Sequence, residues 1–185
     1  MNDARGLRLF FALWPDDSTR AALAALQLGL RGRPTAPENL HLTMAFLGQQ
    51  PAALLPALQA ILGAMAPRDI TLKIDRLGYF ARSRVAWAGL EDAAPALREW
   101  QAELTGRLLA QGIGQARDYG FTPHVTLMRH AEKPGPGPDA QPIAEILWPR
   151  PQLVLVSSET RPEGPRYQLI GAAASTVAAS IAGAG

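Results

Sequence analysis

Apolar and polar positions alternate along this chain in two rhythms, and the switches between them mark its elements. Leu7-Arg8-Leu9-Phe10-Phe11-Ala12-Leu13 is a short apolar and aromatic run closed by Pro15, which predicts a buried strand. Asp16, Asp17 and Ser18 then offer N-cap chemistry to a helix with Leu23, Leu26 and Leu30 at helical spacing, ended by Gly29, Gly32 and Pro34. Residues 39–47 alternate legibly as a strand. After Gly48, Leu54, Leu58, Ile61 and Met65 sketch a second helix, which Pro56 is expected to weaken. Residues 70–74 and 84–90 read as strands. Leu97, Trp100, Leu104 and Leu108 form a helical stripe stopped by Gly112 and Gly114. Residues 121–129 are strand-like again, and 132–142, with Pro134, Gly135, Pro136, Gly137 and Pro138, read as a loop. Two last strands are expected near 152–157 and 166–170. The Ala-, Gly- and Ser-rich residues 171–185 are expected to form a flexible tail.

The first and second halves follow the same course: strand, helix, strand bearing His-x-Thr, further strands. His41 and His124 stand 83 positions apart in a chain of 185. The pattern predicts an α+β fold in which residues 1–170 form a single domain, a duplicated module sharing one core. Composition agrees with a globular protein: 48% of residues are hydrophobic, 18% are charged and the mean hydropathy is -0.01. No run reaches the roughly 18 apolar residues of a membrane helix, and Met1-Asn2-Asp3-Ala4-Arg5 has no signal-peptide layout. A cytoplasmic protein is the expectation. With no cysteine, disulfide scaffolds, thiolate–zinc sites and cysteine nucleophiles are excluded. The net charge of +2 shows no long basic footprint, although the cations are nearly all arginine, with lysine only at 73 and 133.

His41-Leu42-Thr43 and His124-Val125-Thr126 carry the chemistry. Residues i and i+2 of a strand share a face, so each motif presents one imidazole beside one hydroxyl. Leu40, Leu42, Met44 and Phe46 are expected to point into the core behind the first motif, and Val125 and Leu127 behind the second. An unperturbed imidazole titrates near 6.5, so two of them supply a general base and a general acid with no metal. Displacement at phosphorus is in line, with attacking and leaving oxygens on opposite sides, and one histidine from each module meets that geometry. The threonine hydroxyls can donate to the non-bridging oxygens. A metal site would want a third ligand, and neither motif brings a carboxylate or thiolate. His130 shares the strand parity of His124 but has no threonine partner, and is expected at a solvated strand end.

The order of motifs adds to this reading. Arg8-Leu9-Phe10-Phe11-Ala12, the run from Glu38 to Gly48, Ser83-Arg84-Val85-Ala86-Trp87 and the run from Phe121 to Arg129 resemble the 2H phosphoesterases, specifically the RNA 2′,3′-cyclic phosphodiesterases once described as 2′-5′ RNA ligases. The resemblance spans about Arg8 to Tyr167. It implies a bilobal fold, two antiparallel sheets flanking a central cleft with helices packed outside. It also implies hydrolysis of a terminal 2′,3′-cyclic phosphate to a 2′-phosphomonoester, with His41 as proton donor and His124 as proton acceptor. Spacing alone does not choose between these two roles. Thr43 and Thr126 carry over as phosphate binders.

Arg129 follows the second motif as in the family and is a candidate phosphate contact, although strict alternation puts it on the opposite face from His124. Phe10 and Tyr167 are candidates for base stacking, with packing as the alternative for each; Trp87 is expected to pack. No cofactor and no metal are implied. The expected partners are RNA ends or small nucleotides bearing a cyclic phosphate, met by a monomer with no membrane contact. Two alternatives stay open. One is a 2H enzyme acting on another cyclic-phosphate or 2′-5′-linked nucleotide. The other is a non-catalytic RNA-end binding module.

Overall fold

A computed structural model describes residues 6–92, 94–114, 120–135, 140–162 and 164–174. Its strands are β1 (Leu7–Trp14), β2 (Arg33–Pro34), β3 (Leu42–Gln50), β4 (Thr71–Phe80), β5 (Val85–Gly89), β6 (His124–Arg129), β7 (Ala140–Pro149), β8 (Gln152–Arg161) and β9 (Gly164–Ala172). Its α-helices are α1 (Asp17–Ala25), α2 (Leu55–Ala64) and α3 (Pro95–Ala110). The strands form one nine-stranded antiparallel sheet in the order β7-β4-β5-β6-β3-β1-β8-β9, with β2 added to β6. Two separate sheets were expected from the resemblance. Here the four-strand halves meet through one residue pair, Leu42 with Val125.

The halves of the sheet are not the halves of the sequence. β1 and β3 take the C-terminal hairpin β8–β9 as neighbours, while β4 to β7 make up the other side. The chain therefore returns to its starting module at the end, which couples the two copies through one core. That core is the helix-covered face: Leu9, Phe11 and Leu13 of β1, Leu42 and Met44 of β3, Val125 and Leu127 of β6, and the α3 stripe Leu97, Trp100, Leu104 and Leu108 are all at most 2% exposed. Among the described residues no helix is long and apolar enough to cross a membrane.

Local sequence explains the helix ends. The Asp16 carboxylate accepts from the Thr19 N–H at 2.7 Å and caps α1. Pro56 falls in the first turn of α2, where its missing N–H has no intrahelical partner to lose, so it favours the helix start instead of weakening it. α3 closes in a Schellman motif: Gly112 takes φ +69°, its N–H donates to the Leu109 carbonyl, and the Ile113 N–H donates to Leu108. The expected loop over 132–142 gives way to β7 from Ala140, an edge strand that tolerates Pro142 because it pairs only with β4. Of the residues expected as a tail, 171 and 172 complete β9 and Ala173 is 5% exposed in the core. Residues 175–185, and 136–139 of the expected loop, lie outside the described residues.

Candidate active site

The face of the sheet away from the helices carries both motifs, and the joint between β3 and β6 sets them against each other. In an antiparallel pair the residues flanking a matched position lie opposite one another. With Leu42 matched to Val125, His41 is set opposite Thr126 and Thr43 opposite His124. Each histidine thus faces the threonine of the other motif. All four line one cavity of about 370 Å3 together with Arg129, Phe46 and Tyr167.

The two imidazoles are held by the same local contact. Nδ1 of His41 lies 2.6 Å from the Asn39 carbonyl oxygen, and Nδ1 of His124 lies 2.8 Å from that of Thr122, in both cases two residues back. A carbonyl only accepts, so Nδ1 carries the hydrogen and donates, and Nε2 is the nitrogen left to exchange protons. Aromatic rings enclose each imidazole. Trp14 stacks on His41 at 5.7 Å with planes 10° apart, Phe10 lies at 4.9 Å, and Tyr167 meets it edge-on at 5.3 Å. Phe80 and Trp87 flank His124 at 5.1 and 6.3 Å.

This enclosure governs protonation. Burial pushes His41 down to about 4; the Asn39 carbonyl opposes the shift, and the charges of Arg129 and His124 add to it. His124 is also lowered, first by burial and then by Arg129, against the pull of the Thr122 carbonyl. Both Nε2 atoms are therefore proton acceptors in the ligand-free protein at neutral pH.

Departures from strict alternation bring two further residues to the cleft. β1 residues Phe11 and Ala12 match Ala45 and Thr43, leaving Met44 as an extra residue in β3. In the same way β5 residues Ala86 and Trp87 match Met128 and Thr126, leaving Leu127 extra in β6. Each bulge buries two consecutive side chains and reverses the parity beyond it. Phe46, expected in the core, turns instead to the cleft side, where it packs near Phe10 and under the Arg8 guanidinium at 4.8 Å. Arg129, assigned by alternation to the opposite face, turns to the same side as His124, where its charge faces the Tyr167 hydroxyl. The repeat thus includes the bulge as well as the motif.

Phe10 is 3% exposed at the floor of the cavity beneath His41, Phe46 and Tyr167, where its ring braces His41. Tyr167 is partly buried against both. Trp87 packs over Gly78, where a Cβ would overlap the indole. His130 is exposed just past β6 with φ +50°. Trp14, Phe80, Arg33, Arg161 and Arg166 were not anticipated. Among the described residues, no three His, Asp or Glu side chains converge on a point that would hold a metal ion.

A family model described as LigT-like phosphoesterase matches residues 13–87. The RNA 2′,3′-cyclic phosphodiesterase of Thermus thermophilus is 33% identical over 179 residues, spanning 89% of this chain and 88% of its own length. The chain belongs to the LigT-like, or 2H, phosphoesterases. The resemblance drawn from motif order is borne out. Among solved structures, Escherichia coli LigT in its apo form matches with a TM-score of 0.77 at 27% identity, covering 91% of this chain and 98% of LigT. Its complex with 3′-AMP matches with a TM-score of 0.77 at 28% identity, covering 93% and 99%. At these coverages the similarities to the Thermus enzyme and to LigT extend over most of this phosphoesterase, whereas the family model takes in the first motif alone.

Proposed function

We propose that this phosphoesterase hydrolyses a terminal 2′,3′-cyclic phosphate of RNA to a 2′-phosphomonoester, using His41 and His124 and no metal, in a cleft between the two halves of the sheet. The observation that carries the reading is the crossed arrangement, in which each histidine stands opposite the threonine of the other motif. The activity named for the Thermus relative and the 3′-AMP complex of E. coli LigT support a nucleotide end bearing phosphate as the ligand.

The substrate phosphate sits between the two Nε2 atoms, its non-bridging oxygens accepting from Thr43, Thr126 and Arg129. Water attacks phosphorus from the His124 side, and Nε2 of His124 takes its proton. The P–O3′ bond breaks as Nε2 of His41 protonates the departing 3′ oxygen. The product carries the phosphate on O2′ and a free 3′-hydroxyl, and proton exchange with solvent resets the pair. His41 needs a proton that the ligand-free site disfavours, and the substrate anion supplies the reason to take it up, since a nearby negative charge raises an imidazole pKa. Ligand entry arms the acid. With an RNA 5′-hydroxyl in place of water the same displacement joins two ends through a 2′-5′ bond.

The test is turnover of a 2′,3′-cyclic-phosphate oligonucleotide by His41→Ala and His124→Ala proteins whose circular dichroism matches the parent. Each is expected to lose at least about 100-fold, the usual contribution of a positioned acid or base. EDTA is expected to have no effect on the parent. Full activity in either variant, or its loss with EDTA, overturns the mechanism.

A further inference from the structure

The surface around the catalytic cleft is chemically lopsided. On one side the cleft continues into two more depressions, one of about 500 Å3 between residues 33–39 and the turn from β8 to β9, the other of about 900 Å3 over β8 and β9. Arg161 and Tyr167 line all three depressions, and Arg166 lines the two outer ones. Arg33 is matched to Arg129 in the β2–β6 pair, which sets two guanidinium-bearing positions side by side at the entrance. Five arginines, with Arg8 the fifth, border this surface against the carboxylates of Glu38 and Glu159. Ser158 and Thr160 add hydroxyl donors. On the other side the cleft opens into a groove of about 1140 Å3 along α3, past Phe80 and Phe121, and none of its described lining residues is charged.

A nucleic acid strand brings one negative charge with every nucleotide beyond the terminal one. Stripping water from those phosphates in an uncharged groove is costly, whereas guanidinium groups meet phosphate oxygens in fork geometry. We propose that the outer face of β8–β9 is a second phosphate site, holding the phosphodiester on the 5′ side of the terminal nucleotide through Arg161 and Arg166, so that the enzyme selects chain ends over mononucleotides. The inference rests on the functional reading above and adds the direction in which the RNA leaves the cleft. Arg161 pairs in the free protein with Glu159 at 2.8 Å, a solvent-exposed contact that a phosphate can replace at little cost.

Arg161 and Arg166 are exposed, so Arg161→Gln and Arg166→Gln leave the core intact. The experiment compares 2′,3′-cyclic CMP with a trinucleotide ending in the same cyclic nucleotide. In each variant the ratio of kcat/KM for trinucleotide over mononucleotide is expected to fall about tenfold, through KM, as a charge-assisted contact is removed. The slope of log KM against log salt for the trinucleotide becomes shallower by up to about 0.7, the single-strand value for the one phosphate that the two arginines share. An unchanged ratio, or equal losses on both substrates, overturns the site. If the parent turns over neither substrate, the functional reading fails by itself. Equilibrium binding of a 2′-phosphate-ended trinucleotide against 2′-CMP then decides: selective weakening of the trinucleotide in the variants sustains the second site, and parallel or absent weakening refutes it.

Discussion

Burial of His41 ties the stability of the fold to pH. In the unfolded chain its imidazole titrates near 6.5, whereas the folded chain holds it at about 4, chiefly by burial among Phe10, Trp14 and Tyr167. A folded-state pKa below the unfolded one means that the unfolded chain binds the proton more tightly. The contribution of neutral His41 is therefore fully present above pH 6.5 and is lost as pH falls toward 4, where the folded group protonates as well. Across that window the loss is about 3 kcal/mol, of which about 2 kcal/mol is reached by pH 5. Urea unfolding of the parent and of His41→Asn at pH 7.5 and pH 5 isolates the effect, because the other titrating groups are common to both proteins. The parent is expected to lose about 2 kcal/mol more than the variant between the two pH values. Equal losses would show that His41 is not held neutral in the free protein and would refute arming of the acid by the ligand.

Since both imidazoles are lowered in the free protein, kcat/KM for a cyclic-phosphate substrate should fall toward tenfold per pH unit between pH 6.5 and 8, while the alkaline limb of kcat lies higher because the bound anion holds the proton on His41; a kcat/KM that is flat or rising over this range contradicts the protonation scheme. Gly78→Ala drives a methyl into the Trp87 indole beside His124, and overpacking of this kind is expected to cost about 1–3 kcal/mol in chemical denaturation and to lower kcat; a variant with parent stability would show that Trp87 has room to move. Asp16→Ala removes the α1 cap two residues after Trp14, which stacks on His41, and should cost about 1 kcal/mol of stability with kcat unchanged, so a fall in kcat would mean that the cap contributes to the site.

The two modules were legible because each His-x-Thr lies in a run whose alternation survives almost intact, and because α3 spells its buried stripe without interruption. The sequence was harder to follow where two apolar residues stand together. Met44-Ala45 and Leu127-Met128 break the period of two at the same place in both motifs, and each break is a bulge that turns Phe46 and Arg129 to the cleft. Those doublets were a usable signal that strict alternation overrode. β7 was hidden by its neighbours, since its first residues follow a Pro- and Gly-rich stretch and include Pro142, tolerable only at an edge. The assembly of the first half of the sheet from β1, β3 and the distant β8–β9 hairpin leaves no mark in local pattern. For the same reason the grouping of Arg33 with Arg161 and Arg166 could not be read from spacing: Arg33 stands more than 120 positions before the other two.

In the proposed reaction His41 and His124 divide the acid and base roles across a bound cyclic phosphate and direct cleavage to the P–O3′ bond. Phosphorus NMR of the products from an RNA ending in a 2′,3′-cyclic phosphate, incubated in the presence of EDTA, tests it most directly. The expected product is a 2′-phosphomonoester, absent when either histidine is replaced by alanine. A 3′-phosphomonoester would contradict the assignment of the leaving oxygen to His41, and unchanged product from either alanine variant would contradict the mechanism itself.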